Sequence, residues 1–436
     1  MRKLNCSLLR SAAALVLAGT AALAQAGVRI DHWQAPSGAQ VYFVETHVLP
    51  ILDVQVDFAA GGAYAPAEKA GVAGLTHGLL DLGAGTYSED AIADRLADLG
   101  AQLGGSVDQD RASLTLRTLS AADKQEGALD VLQAVLQQPH FGTAEFQREK
   151  ARAILGLKEA LTKPDVLASR AFWQTLYPHH PYGIQVTPES LEKVSREDVQ
   201  AFWRDHYSAS RATVTLVGDL TRAQAEAIAQ RLTGHLPAGT PLAPLPAVTA
   251  PAAAQVAVPH PAAQAHLYLG LPAIPKGDPD YFPLLVGNYT LGGGGFMSRL
   301  MHEVRDERGL AYSVYSYFMP MRAAGPFQIG LQTKRDQAGQ ALKVVDKVLK
   351  DFLAQGPTAT ELQAAKANLA GSFPLRLDNN RKILENVAVI GFYGLPLDYL
   401  DTYVAQVNRV SAADIRAAFA RHVTLDHLIT VKVAAD

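Results

Sequence analysis

The stretch VSREDVQAFWRDHY, Val194–Tyr207, returns 216 residues later as VSAADIRAAFARHV from Val410. At that one spacing Ser195 meets Ser411, Asp198 meets Asp414, Trp203 meets Phe419 and His206 meets His422. The same offset aligns Glu145 with Glu361 in GTAEFQREKARA and TATELQAAKANL. Upstream, LTLRTLSAADKQEGALDVLQAVLQQ parallels IGLQTKRDQAGQALKVVDKVLKDFL, each an alternating strand followed by a helix. Agreement at one spacing in separated places identifies a tandem duplication. Each copy of roughly 200 residues is of ordinary domain size.

Period-2 alternation predicts strands over 52–60, 112–119 and 212–219, and again over 265–272, 326–333 and 428–434. Long amphipathic segments at 121–138, 144–162, 336–354 and 359–371 predict helices. The fold class is α+β, two tandem homologous layered domains with antiparallel or mixed sheets. Residues 236–255, LPAGTPLAPLPAVTAPAAAQ, are rich in Pro and Ala and carry no charge, so they form an extended connector. The expected division is 1–26 signal peptide, 27–235 N-terminal domain, 236–255 linker and 256–436 C-terminal domain.

The chain of 436 residues opens as an export signal. Arg2, Lys3 and Arg10 precede an apolar run from Ala12 to Ala22, and Ala24-Gln25-Ala26 is an A-x-A cleavage site. The run is too short to span a membrane. The expectation is cleavage near Ala26, a periplasmic location and no transmembrane segment afterwards. The lone Cys6 lies inside the signal, so the mature chain has no thiolate ligand or thiol nucleophile. It keeps 36 basic against 42 acidic residues. No long basic run exists, which argues against nucleic acid as a partner.

The chemistry-bearing stretches are two. In GLTHGLLDLGAGT, Gly74–Thr86, His77 stands where an inverted zinc motif H-x-x-E-H would begin. Two histidines one helical turn apart reach one zinc, and the intervening Glu activates water. Here Leu80 replaces that Glu and Asp81 the second histidine. Leu80 has no lone pair and takes no proton. In LGGGGFMSRLMHEVRDERGLAYSVYS, Leu291–Ser316, four glycines, Gly292, Gly293, Gly294 and Gly295, precede a helix. No Gly-Lys-Ser/Thr follows, so it is not a phosphate loop. Read locally, Arg305 is a surface ion-pair residue among Glu303, Asp306 and Glu307, and Tyr312 a core residue.

Together these stretches resemble the pitrilysin/insulinase family, whose zinc helix, Gly-rich loop and two-half layout they follow over the chain from about Gly27. HPYG, His180–Gly183, resembles the family's loop after the third-ligand helix. The resemblance implies that FQREKARAILGLKEAL carries the Glu and third-ligand positions, here Glu149 and Gly156. Of three ligands only His77 survives, and this is the subunit lacking the zinc motif. It also implies that Arg305 and Tyr312, seven apart, grip substrate main chain and stabilise the scissile carbonyl oxygen. Arg308 competes with Arg305, but at the wrong spacing.

The implied function is a non-zinc-binding subunit, inactive alone, that pairs with a homologous zinc-carrying subunit and lends Arg305 and Tyr312 to hydrolysis of peptide substrates. No cofactor is expected on this chain; zinc is expected on the partner. One alternative is a purely structural or binding subunit. Another is a self-sufficient peptidase with an atypical metal site of His77, Asp81 and Glu159, all able to donate to zinc.

Overall fold

The computed structural model describes residues 27–239 and 242–435. The expected signal segment, 1–26, lies outside them. Strands β1 (Asp31–Gln34), β2 (Gln40–Glu45), β3 (Ile51–Phe58), β4 (Gln102–Val107), β5 (Ala112–Leu119) and β6 (Thr213–Gly218) form one sheet. Their order is β1-β2-β6-β3-β5-β4. Strands β7 (Ala254–Pro259), β8 (Gln264–Ile274), β9 (Ala311–Phe318), β10 (Gly325–Lys334) and β11 (Ile429–Ala434) form the second, ordered β7-β11-β8-β10-β9. The β2–β6 and β7–β11 pairs are parallel and the others antiparallel. Apart from β1, the two sheets share one topology, as the repeat demands.

The repeat is written into helix caps. Ser195 and Ser411 each accept from the backbone N–H three residues on, and Asp198 and Asp414 bond back to the cap N–H. Each such reciprocal cap contributes roughly 0.5–2 kcal/mol. The helices Arg196–His206 and Ala412–His422 therefore start at matching points.

Strand alternation separates the faces of the first sheet. Leu52, Val54, Val56 and Phe58 are fully buried in the N-terminal core. Asp53, Gln55 and Asp57 alternate with them and are buried on the other face. Buried polar groups need partners. Arg117 donates to both Asp53 oxygens at 2.7 and 3.0 Å. The Gln55 amide donates to both Asp57 oxygens at 2.9 and 3.0 Å.

That second face is closed by a helix from the other half. The helix Asn380–Tyr393 lies across β6, β3 and β2, with Leu384, Val387 and Ile390 packed on Tyr42, Val44 and Val217. Gly391 permits the approach: a Cβ there would stand 2.7 Å from the Tyr42 ring. Reciprocally, the helix Pro164–Leu176 puts Ala168, Phe172 and Leu176 against β11 and β8. These two helices begin 216 residues apart, so they are equivalent copies that have changed places. The expected division into 27–235 and 256–436 marks the duplication along the chain, but the packing interlocks across it.

Asp110 bolts the seam. It sits in the turn between β4 and β5, is fully buried, and accepts from Tyr182 Oη at 2.5 Å. From the second half it accepts from the Arg322 backbone N–H at 2.8 Å and from Tyr393 Oη at 2.9 Å. The 236–255 connector has an ordered path where described. His180 Nε2 lies 3.1 Å from the Pro246 carbonyl and His427 Nδ1 2.7 Å from that of Pro251. The connector ends two residues earlier than expected, because β7 starts at Ala254.

Asp57 gives the fold a pH signature. Burial pushes its carboxyl up to about 7, against the opposing pull of Arg111 and Gln55. An unfolded Asp titrates near 3.9. The folded state thus binds the proton more tightly, and this contribution to stability is fully present below the unfolded value. It is lost as pH rises towards 7 and stays lost above it. Urea unfolding of the wild type against Asp57→Asn checks this. From about pH 5 to about pH 8 the wild type should lose roughly 2–3 kcal/mol relative to the variant.

Candidate functional site

The zinc-motif stretch folds in a way that disassembles the motif. The helix carrying His77 runs only from Val72 to Gly78. The chain turns tightly there, with Leu79 and Leu80 N–H groups bonded to the Thr76 and His77 carbonyls. Asp81 thus lies beyond the helix and is exposed, off the one-turn register that the motif requires. Leu80 is 1 % exposed and belongs to the N-terminal core. His77 Nε2 is 2.9 Å from the Ser113 carbonyl oxygen on β5, so that nitrogen is engaged with the backbone.

The downstream helix, Thr143–Ala160, offers no replacement. Glu149 pairs with Arg148 at 2.9 Å and Arg152 at 3.1 Å. Gly156 faces open space, with nothing near where a side chain would project. Glu159 is largely exposed and pairs with Lys163 at 3.4 Å. The alternative metal site of His77, Asp81 and Glu159 is corrected accordingly: its donors do not converge. Among the described residues the one group of three donors within reach of a common ion is Asp278, Asp280 and His422. There Asp280 is already held by Arg421 at 2.8 and 2.7 Å and by His422 at 2.8 Å.

The second stretch assembles what the first lacks. The first glycine of the run, Gly292, is buried against β9. A Cβ on Gly292 would stand 2.4 Å from Ser316 Oγ, so only glycine fits. A widened π-type turn at Tyr289–Gly293 includes the first two glycines of the run, and a second follows at Met301–Asp306. Such turns are frequent at functional sites. Val304 and Met301 anchor the second turn in the core, which leaves Arg305 facing outward. Its guanidinium carbon lies 5.5 Å from the centre of the Tyr312 ring and 4.7 Å from that of Phe296. Tyr312, near the start of edge strand β9, is 87 % exposed. The reading of Tyr312 as core is thereby corrected.

Arg305 makes one local ion pair, to Asp306 at 3.3 Å. Arg308 is tied to Glu303 through both the carboxylate, at 2.7 Å, and the carbonyl, at 2.6 Å. Of the two arginines, Arg305 keeps the freer fork. Phe296 is the site residue that spacing overlooked. The signal for it was an aromatic placed directly after four glycines. With 69 % of its surface exposed, Phe296 gives the Arg305 guanidinium a second aromatic contact besides Tyr312, worth about 0.5–1 kcal/mol at an exposed site.

Comparison with known proteins bears on both halves. Residues 41–188 match the family described as insulinase (peptidase family M16), and 193–369 match the peptidase M16 inactive domain. The chain belongs to the insulinase family, M16. A solved peptidase M16 inactive domain from Pseudomonas fluorescens is 37 % identical, covers 93 % of this chain and 98 % of its own, and superposes with a TM-score of 0.90. A non-peptidase homolog from Helicobacter pylori is 27 % identical over 391 residues, 89 % of this chain and 90 % of that protein. The periplasmic protease PqqL from Escherichia coli shares the fold at a TM-score of 0.80 and 15 % identity, over 94 % of this chain but 46 % of that one. The two-domain α+β architecture is thus that of the M16 family. No helix among the described residues is long and apolar enough to cross a membrane.

Proposed function

We propose that this M16 chain is the non-peptidase subunit of an exported two-chain zinc peptidase, and that it lends Arg305 and Tyr312 to its partner's active site. The observation that carries the reading is the asymmetry between the two stretches. The zinc-motif stretch is closed: Leu80 is core, His77 is bonded to the backbone, and Asp81 is off register. The Arg305–Tyr312 pair is assembled, yet its phenol stands in the open with nothing among the described residues to act on.

The chemistry of the pair suits a borrowed site. A guanidinium fork binds main-chain carbonyls or a carboxylate through paired N–H donors. A phenol O–H donates where negative charge develops on a carbonyl oxygen. Zinc on the partner would polarise that carbonyl and supply activated water. The substrate would lie as an extended strand added to a sheet edge of the partner. The fold likeness to a chain that this one covers by just under half leaves room there for a second such unit. The segment 1–26 supports export, with the signal layout as its ground.

The test mixes the mature chain with a homologue from the same organism that keeps H-x-x-E-H. The expected result is chelator-sensitive peptide cleavage by the pair, well above that of the homologue alone, and none by this chain alone. Cleavage by this chain alone would sink the reading. An unchanged rate in the pair would favour a structural or binding subunit.

A further inference from the structure

Away from Arg305 and Tyr312, a cavity of about 1110 Å³ opens where residues 242–248 of the connector cross the seam between the halves. That is slightly above the usual span of a small-ligand site, about 300–1,000 Å³. Its walls are apolar on the connector side, through Leu245 and Val248, and aromatic on the other, through Tyr42 and Phe392. None of its described lining residues is acidic, while each half contributes a guanidinium, Arg211 and Arg322.

Neither arginine is used up. Arg211 Nη1 donates to the Asp205 carbonyl, but its Nη2 is buried with no hydrogen-bond partner among the described residues. A buried guanidinium N–H left unmade is costly. Arg322 stacks on Phe392, 4.5 Å from the ring centre, and spends one Nη2 donor on the Phe392 carbonyl at 2.9 Å. A guanidinium has five N–H donors, so Arg322 retains others. The nearby Asp110 carboxylate does not neutralise them by contact, since Tyr182, Tyr393 and the Arg322 backbone occupy it. Tyr64 also lines the cavity; burial pushes its hydroxyl up, with Arg322 and Arg211 pulling against that push and Asp110 and Asp108 adding to it.

We propose that this cavity binds an organic carboxylate with an apolar tail, the carboxylate held between Arg211 and Arg322 with Tyr64 as a further donor, and the tail along Leu245 and Val248. Guanidinium donors match carboxylate oxygens in number and direction. The volume exceeds what a lone inorganic anion fills, and the apolar wall gives the remainder of the ligand its place. Two sources share this chemistry, the C-terminus of a short apolar peptide and a medium-chain fatty acid. The site is independent of the Arg305–Tyr312 reading, and its test needs no partner subunit.

Calorimetric titration of the intact mature chain decides it, with three probes: an N-acetylated apolar tripeptide with a free C-terminus, its C-terminal carboxamide, and decanoate. One or both carboxylates should bind, and the stronger names the source. The carboxamide should bind at least about tenfold more weakly than its parent, or not at all if decanoate is the stronger, because only the charged form takes charge-assisted bonds. Arg211→Gln should weaken the bound carboxylate about tenfold or more. Its fold is checked by thermal melting, and the carboxylate–carboxamide comparison on the unaltered chain stands without it. The proposal is overturned if neither carboxylate binds up to about 1 mM, if the peptide acid binds and its carboxamide binds as well, or if a folded Arg211→Gln chain binds the carboxylate as well as the wild type.

Discussion

Tyr312→Phe in the assembled pair should lower kcat by about 10²–10³-fold, the usual cost of deleting one donor to a developing oxyanion. The change removes a single oxygen. The ring stays against Arg305, because cation–π contact needs only the aromatic face. Tyr312 is 87 % exposed and holds nothing in the fold, so the melting temperature of the isolated chain should not move. KM should change little, since the donor acts on charge present in the transition state more than in the substrate. Arg305→Ala should differ in kind: in the proposed role its guanidinium grips the substrate in the ground state, so KM should rise as well. Steady-state kinetics of the pair against one peptide gives both parameters. A Tyr312→Phe pair with unchanged kcat would remove the phenol from the mechanism.

Asp110→Ala should destabilise the isolated chain by about 3–5 kcal/mol, the scale of leaving a buried charged network without one partner. Three donors lose their acceptor at once: the Tyr182 and Tyr393 hydroxyls and the Arg322 backbone N–H. Two of the three come from the second half, so the loss falls on the seam between the halves. Asp110→Asn should cost less, because its carbonyl still accepts from at least one of them. Urea titration followed by far-UV circular dichroism measures the difference. A variant as stable as the wild type would show that the seam is held by apolar contact alone.

The sequence was most legible where structure is local. Alternation gave the strand at 112–119 and, but for one residue, the strand expected over 428–434, which starts at Ile429; the repeat at a spacing of 216 matched the helices after Ser195 and Ser411. Edge strands were harder to read. In β4, Gln102–Val107, two glycines break the pattern and most side chains are exposed. The end of the helix at Gly78 was written in the sequence but masked by the outline of a familiar motif. Burial of Leu80 depends on which face the following turn presents, which spacing does not encode. Arg305 and Tyr312 stood out only through the family resemblance, since read locally they were an ion-pair residue and a core residue, and Phe296 joins them only through the fold of the glycine run. The exchange of helices is the least local feature of all. The helix Pro164–Leu176 is not among the segments that periodicity marks, and its sequence does not say whose sheet it covers.

That exchange has a consequence for how such a protein endures dilution. A single half has a sheet face with no helix on it and a helix with no sheet of its own. Two like halves can satisfy each other only by closing as a reciprocal pair. As separate molecules they would part whenever their concentration fell. Joined through residues 236–255, they meet at an effective concentration fixed by the connector. The wholeness of this chain is then the same in a crowded compartment and in a nearly empty one.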